Sequence, residues 1–489
     1  MATKGRQITT AQRWALGLAS AASFMVVLDM LVVATALSTI RRDLGASIGQ
    51  LEWTVNAYTL SFAVLLMTAA ALGDRFGRRR LFAAGLGLFA AASAACALAP
   101  GVGWLIAARA VQGAGAAMVM PLALAQLNAA FPAQRRGWAM GIFGGVTGLA
   151  AMVGPVLGGA ITQGIAWQWI FWLNVPIGLL AIPLVLGRIQ ESYGPRSTLD
   201  IPGLGLGIGA ALGLVWGLVR GNSAGWGSPE VIAALGAGAL LTVAFAAREM
   251  HARAPMLPMR LFRSRAFSAG GAVIFFLNGS LTGAVFFMAQ FQQTTLGQGP
   301  LDAGLRLLPW GITPFLIAPR AGALADRLGE RPLVVAGLLL QTAEMAWIAV
   351  IARPGLDYLT MIAPMVISGC GFAMAIPAVT KSVVSSAAGS DIGKTSGAFS
   401  TMRQLGGAFG VAIPAAAFAA AGSYASARAF SDGFAPAIGV AAGLSLAGAV
   451  AGLALPRRRA ATVSAPAAAA PAEYAALAEH ARSATSGKD

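Results

Sequence analysis

The chain has 489 residues, of which 57% are hydrophobic and only 11% charged, with a formal net charge of +16. Ordinary soluble domains carry roughly 25% charged residues, and a mean hydropathy of +0.72 excludes a water-soluble globule. The excess of Lys and Arg raises the idea of a nucleic-acid partner, but it sorts by membrane side along the chain, and none is expected.

The apolar runs are about 20 residues long, enough for a helix to cross about 30 Å of hydrocarbon. They lack the alternation of a membrane barrel, and helices satisfy their own backbone groups in lipid. The expected fold class is therefore an all-α polytopic membrane protein. A short cytoplasmic N-terminus, 1–13, leads into a first span at 14–40, too long and too interrupted by Asp29 for a cleavable signal peptide. Spans at 52–72, 81–99, 103–130, 138–162 and 168–188 complete a six-helix bundle over 14–190. Two inserted spans, 201–220 and 229–247, and a basic connector fill 191–265. Spans at 266–290, 303–323, 332–351, 357–378, 395–421 and 434–455 form a second six-helix bundle over 266–455, for about fourteen in all. Residues 456–489 are rich in Ala and Pro, too poor in large apolar residues to build a core, and are expected to be a disordered cytoplasmic tail.

A repeat supports this division. Gly73-Asp74-Arg75-Phe76-Gly77-Arg78-Arg79-Arg80 packs charges and glycines between two apolar runs, and Ala325-Asp326-Arg327-Leu328-Gly329-Glu330-Arg331 echoes it 252 residues later. Two charged hairpins in matching places point to an internally duplicated transporter. Most Lys and Arg of the short connections fall on the side of these hairpins. That side is expected to be cytoplasmic, with both termini inside and the protein in the cytoplasmic membrane.

Few ionisable residues lie inside spans, and each costs about 2.5–3.5 kcal/mol on insertion scales. Asp29, 16 residues past Arg13, sits about 24 Å along the first helix. A carboxyl balanced between burial and a nearby cation can take up and release a proton, and Arg109 is the partner expected. The two could also simply staple helices together. Arg109 and Gln112 share a helix face. Glu344 is the other carboxylate deep in a span, either paired with a polar neighbour or a second proton or cation site. Asp302 and Arg306, four apart, read as a local ion pair. Gly154-Pro155 and Gly158-Gly159 predict a bent, closely packed fifth span. Cys96 and Cys370 lack the spacing of a disulfide framework or metal site, and His251 and His480 fall outside the spans. No Walker motif points to ATP.

Together these segments resemble the major facilitator superfamily, and within it the fourteen-helix drug/proton antiporter branch. Gly73, Asp74, Arg75, Gly77, Arg78 and Arg79 resemble its gating loop between helices two and three. Arg109 with Gln112-Gly113 resembles its fourth-helix proton-coupling motif. Gly148, Gly154, Pro155, Gly158 and Gly159 are similar to the fifth-helix antiporter motif of exporters. Leu51, Trp53, Ala57 and Tyr58, with the segment Trp167 to Gly178, look like fourteen-helix branch segments. Leu28-Asp29 matches the first-helix motif, but Leu31, Ala34 and Ser38 replace its usual Thr, Asn and Pro. In the second hairpin Glu330 and Pro332 replace basic positions. The resemblance implies that Asp74 bonds Arg78 and faces a helix N-terminus near Thr395 and Ser396.

The expected function is export of lipophilic drugs or related compounds in exchange for protons, by alternating access. The chain is expected to be no enzyme, to need no cofactor or metal beyond the proton gradient, and to act as a monomer among membrane lipids. Tyr58, Gln112, Asn278, Gln290, Trp310 and Glu344 are candidate substrate contacts, with Phe275, Phe276, Phe286, Phe287 and Phe291 either walling a greasy cavity or facing lipid or filling the core. The alternatives are a lipid or envelope-precursor translocase and proton-coupled uptake of a small organic anion.

Overall fold

The computed structural model describes residues 8–194, 200–252, 255, 257, 259–386 and 392–456, apart from a few side chains within helices. The expected tail and most of the N-terminus lie outside the described residues, as do the side chains of Asp326 and Arg327. In chain order the helices are α1 (Thr10–Leu44), α2 (Ile48–Phe76), α3 (Arg78–Ala97), α4 (Val102–Ala130), α5 (Ala133–Gly164), α6 (Trp169–Trp172), α7 (Asn174–Arg188), α8 (Ile201–Ala224) and α9 (Pro229–His251). After a 3-10 turn at Met259–Arg263 come α10 (Arg265–Thr294), α11 (Pro300–Arg306), α12 (Leu308–Leu328), α13 (Glu330–Ile351), α14 (Leu359–Ser385), α15 (Ile392–Ala421) and α16 (Ala427–Gly452). No strand occurs among the described residues.

Local chemistry sets the helix ends. Thr9 with Gln12, and Ser47 with Gln50, form reciprocal capping boxes at the starts of α1 and α2. Gly45, at φ 61°, closes α1 in the left-handed conformation that glycine adopts without a steric penalty. Gly77, at φ 106°, separates α2 from α3 in a single residue.

Among the described residues, thirteen spans are long and apolar enough to cross a membrane, with α6 and α7 counted as one. The 21-residue α12 is a fourteenth by length, its apolar run diluted by Pro309, Pro314, Pro319 and Arg320. Two expected spans are interrupted. The run at 303–323 divides into α11 and α12 because Pro309 cannot continue a preceding helix, and the run at 168–188 breaks at Leu173, ahead of Pro176.

Helices α1 to α7 pack mainly on one another, and α10 and α12 to α16 do the same, whereas the short α11 packs mainly on α5. The two groups meet where α15 packs on α2, α11 and α12 on α5, and α10 on α1. Helices α8 and α9 pair with each other, and α8 also touches α2 and α15, one helix from each group.

Candidate functional site

Helix α1 carries Asp29 to a point where five other helices contribute to its surroundings. Its side chain is fully buried and that of Arg109, on α4, is 1% exposed. Arg109 Nη1 donates to Asp29 Oδ2 at 2.5 Å, while Gln112 Nε2 and Asn174 Nδ2 donate to Oδ1 at 2.8 and 2.7 Å. Three donors thus cover both oxygens, an arrangement suited to an anion.

A second layer fixes these donors. Arg109 Nε donates to the Thr54 carbonyl of α2 at 3.2 Å, and Nη1 to Gln112 Oε1 at 2.6 Å. Gln112 Nε2 also donates to Ser93 Oγ of α3 at 2.7 Å. The Arg109 guanidinium lies 4.2 Å from the Tyr58 ring centre and 5.7 Å from that of Phe171. Tyr58 donates its hydroxyl to the Val26 carbonyl at 3.3 Å. The helical spacing of Arg109 and Gln112 therefore aims both at one carboxylate. Asn174 reaches it because the chain breaks at Leu173 and restarts with the amide in the first turn of α7.

Asn174 falls within the family-like segment Trp167 to Gly178 with no role expected of it; an amide next to a helix break is its one visible sign. Asn174→Ala should lower the stability of the purified protein by about 1.5–3 kcal/mol, the worth of a hydrogen bond to a charged group. Unfolding midpoints in detergent would check this, and an unchanged midpoint would show that the amide contributes nothing.

The charged hairpin is built as a strap. Arg78 donates to Asp74 Oδ1 through Nε at 2.8 Å and approaches it through Nη2 at 2.7 Å. The Arg78 N–H donates to the Ser192 carbonyl at 2.9 Å, and Gly194 N–H donates to the Asp74 carbonyl at 3.1 Å. Glu191 accepts from the Arg79 N–H at 2.8 Å, and its carboxylate lies 3.7 Å from both Arg79 Nε and Arg80 Nε. Arg75 stands over the Phe76 ring at 5.3 Å, and Gly73 faces the Leu122 side chain of α4. Asp74, expected to face a helix N-terminus near Thr395 and Ser396, makes no hydrogen bond to the Thr395 side chain. Its hydroxyl is buried without a hydrogen-bond partner, and the segment after α7 covers Asp74 instead.

The fifth-span glycines divide into two sets. Gly154 packs on Leu31 and Gly158 on the backbone at Val32, both on α1. Gly159 meets the backbone of Pro300 and Leu301 on α11, and Gly304 of α11 meets the backbone at Pro155. Any side chain at Gly159 or Gly304 would collide with a main chain that cannot rotate away. Gly148, like Gly141, Gly144 and Gly145, faces open space. The Gly164 half of α5 is thus sealed against the other group, while Ala139 and Phe143 in its Ala133 half are buried in the core of the first group.

The remaining candidate contacts are dispersed through the second group. Asn278 donates to the Arg403 carbonyl at 2.7 Å, holding α10 to α15. Gln290 donates to the Phe286 carbonyl at 2.9 Å and accepts from Tyr424. Tyr424 lies in the turn between α15 and α16, where burial pushes its phenol above the usual range and keeps it a donor. Glu344 is buried on α13 beside Trp310 and Ser368, yet neither of its carboxylate oxygens completes a hydrogen bond.

Two sequence-based readings do not hold in the folded chain. Phe286, Phe287 and Phe291 do not wall a cavity: they lie buried in the core, Phe287 stacked on Phe418 at 5.1 Å and Phe291 on Phe434 at 4.2 Å. Period alone cannot separate rings that line a cavity from rings that fill a core. Arg306 makes no ion pair with Asp302; its guanidinium covers the Tyr358 ring at 5.0 Å and its carbonyl accepts from the Tyr358 hydroxyl at 3.1 Å.

The sequence model of the Major Facilitator Superfamily matches residues 19–411. The tetracenomycin C resistance and export protein of Streptomyces glaucescens is 34% identical, over 80% of this chain and 72% of that protein. The puromycin resistance protein pur8 of Streptomyces alboniger is 35% identical, over 82% and 80%. The methylenomycin A resistance protein of Bacillus subtilis (strain 168) is 33% identical, over 80% and 84%. A crystal structure of the nucleoside transporter NupG superposes with a TM-score of 0.62, covering 91% of this chain and 99% of that one, at 12% identity, which speaks to the fold alone. With that match over most of its length, and with its many apolar helices, this chain is a multi-pass membrane protein of the Major Facilitator Superfamily.

Proposed function

We propose that the chain is a proton-coupled exporter of lipophilic small molecules, seated in the cytoplasmic membrane with both termini inside and active as a monomer. The observation that carries the reading is the Asp29 cluster. A fully buried carboxylate at the meeting point of membrane helices demands a return for its desolvation, and proton exchange supplies one. The resistance and export proteins among its relatives support drug-like cargo.

The geometry suggests how a proton acts. A protonated Asp29 becomes a donor, so one of its three donors must yield. Asn174 is able to do so, because turning its amide presents a carbonyl oxygen in place of N–H. Arg109 then loses its counter-charge, which weakens the tie between α1 and α4 and biases the two groups toward a different packing. The charged hairpin, with Asp74 and Arg78 paired, holds the cytoplasmic end of the first group together while this happens.

Efflux of a lipophilic cationic dye from energised cells tests the proposal. Cells expressing the protein should retain less dye than controls, and both a protonophore and Asp29→Asn should abolish the difference. A protein that never moves dye, or that exports with the gradient collapsed, would overturn it. Normal export by Asp29→Asn would remove Asp29 from the coupling.

A further inference from the structure

A cleft of about 1510 Å³ opens between α2, α4 and the inserted α8, on a different face of α4 from the one that carries Arg109. Ala107 and Ala110 line it, while their neighbour Arg109 turns away to Asp29. Its charged lining is confined to one end, and Ser61, farther along α2, spends its hydroxyl on the Tyr58 carbonyl. Arg41 comes from the last turn of α1, Ser47 and Glu52 from the start of α2, Arg220 from the end of α8, and Tyr424 from the turn before α16. Below that rim the walls are apolar, with Leu60, Val64 and Leu65 on α2 facing Ile208 and Ala211 on α8. From Glu52 to Leu65 the wall runs 13 residues, about 20 Å of helix.

The charges at the rim are placed unusually. Glu52 is 4% exposed and its Oε2 is buried without a hydrogen-bond partner. Arg41 covers the Tyr424 ring at 4.3 Å, and its Nε is likewise without a partner. Both residues line the cleft, yet they form no ion pair with each other. Arg220 is already matched, to Glu230 at 3.1 Å. A buried, unpartnered acceptor is expensive unless a donor arrives, and here one anion and one cation stand separately above a long apolar trough.

We propose that this cleft holds a phospholipid with a primary-amine headgroup, its ammonium donating to Glu52, its phosphate against Arg41 and its acyl chains along the wall of α2 and α8. The division of polarity matches the ligand: a zwitterionic head needs one acceptor and one cation at the membrane surface, and the chains need hydrocarbon beneath. The ammonium is the selective element, because N–H donors can satisfy the Glu52 oxygen and a trimethylated nitrogen cannot. The site gives the inserted helices a role, since α8 supplies one wall of the trough. It rests on the cleft alone and needs no proton coupling.

Trp53 and Trp216 line the cleft with ring centres 5.7 Å apart, so they report on its occupant. The purified protein would be titrated with bromine-labelled phosphatidylethanolamine and with phosphatidylcholine of the same chains, reading tryptophan quenching. The component lost in Trp53→Phe/Trp216→Phe defines the cleft. Wild type should bind the ethanolamine lipid at least about tenfold more tightly than the choline lipid. Glu52→Gln should erase that preference by weakening the ethanolamine lipid only, Glu52→Asp should keep it, and Arg41→Gln should weaken both lipids alike. In wild type alone, affinity should fall stepwise as the amine is methylated, which keeps the test valid if a variant misfolds. Equal affinity for the two lipids, a preference that survives Glu52→Gln, or quenching unaffected by loss of the two tryptophans would overturn the proposal. The titration uses no gradient, so its result stands whatever the dye experiment returns.

Discussion

Arg109→Ala should lower the stability of the folded protein by about 3–5 kcal/mol, the usual penalty for removing one member of a buried ion pair. The alanine leaves the Asp29 carboxylate with zero exposure and no cation. It also takes a donor from the Thr54 carbonyl and from Gln112 Oε1, and the charge from above the Tyr58 ring. Removing both charges is a different matter, because neutral groups of similar shape are tolerated where a lone charge is not. Asp29→Asn/Arg109→Gln should therefore recover most of the unfolding midpoint in detergent while export stays abolished. An Arg109→Ala protein that melts with wild type would mean that Asp29 has another counter-charge, and a double variant that exports would show that the pair only fastens helices.

Gly159→Leu should slow export by about a hundredfold and leave each helix group folded. The substituted side chain meets the main chain of Pro300 and Leu301, which has no rotamer to escape into. Overpacking of this kind costs about 1–3 kcal/mol, and it falls on the conformation in which α5 and α11 are in contact. A penalty at the upper end of that range shifts a two-state balance about a hundredfold. Gly148→Ala is the matched control, since nothing lies within contact of the added methyl. Initial rates of dye efflux, with unfolding midpoints of both variants, would check the pair. Full activity in Gly159→Leu would show that this contact is not part of the cycle.

The unequal fate of these two glycines shows what sequence reading reaches. Hydropathy made the membrane helices legible because length and apolarity are local properties, and Asp29 and Arg109 stood out because charge inside a span is rare. Gly148 and Gly159 look alike in the chain, and only the packing of α11 separates them. Asn174 was visible as a residue and invisible as a ligand, since nothing local says that the start of α7 faces α1. Glu52 escaped notice for a related reason. A carboxylate in the first turn of a span reads as an interfacial group, and its burial depends on tertiary neighbours such as the turn at Tyr424, distant in sequence. The phenylalanines of α10 failed in the opposite direction: a helical stripe of rings has the same period whether it faces a cavity or α15 and α16.

The strap between the charged hairpin and residues 191–194 bears on how the accessory helices travel. Arg78, Arg79 and the Asp74 carbonyl hold that segment to the first group. Only five residues then separate Gly194 from Asp200, where α8 is capped, a leash of at most about 20 Å even when fully drawn out. Helix α8 is thereby a follower of the first group with bounded travel, while the face it turns to α2 also packs, through Ala211 and Val215, on Ala408 and Ala412 of α15 in the second. Whatever displacement separates the two groups during a cycle is felt at this one helix as shear, and the lateral trough beside it widens or narrows in step.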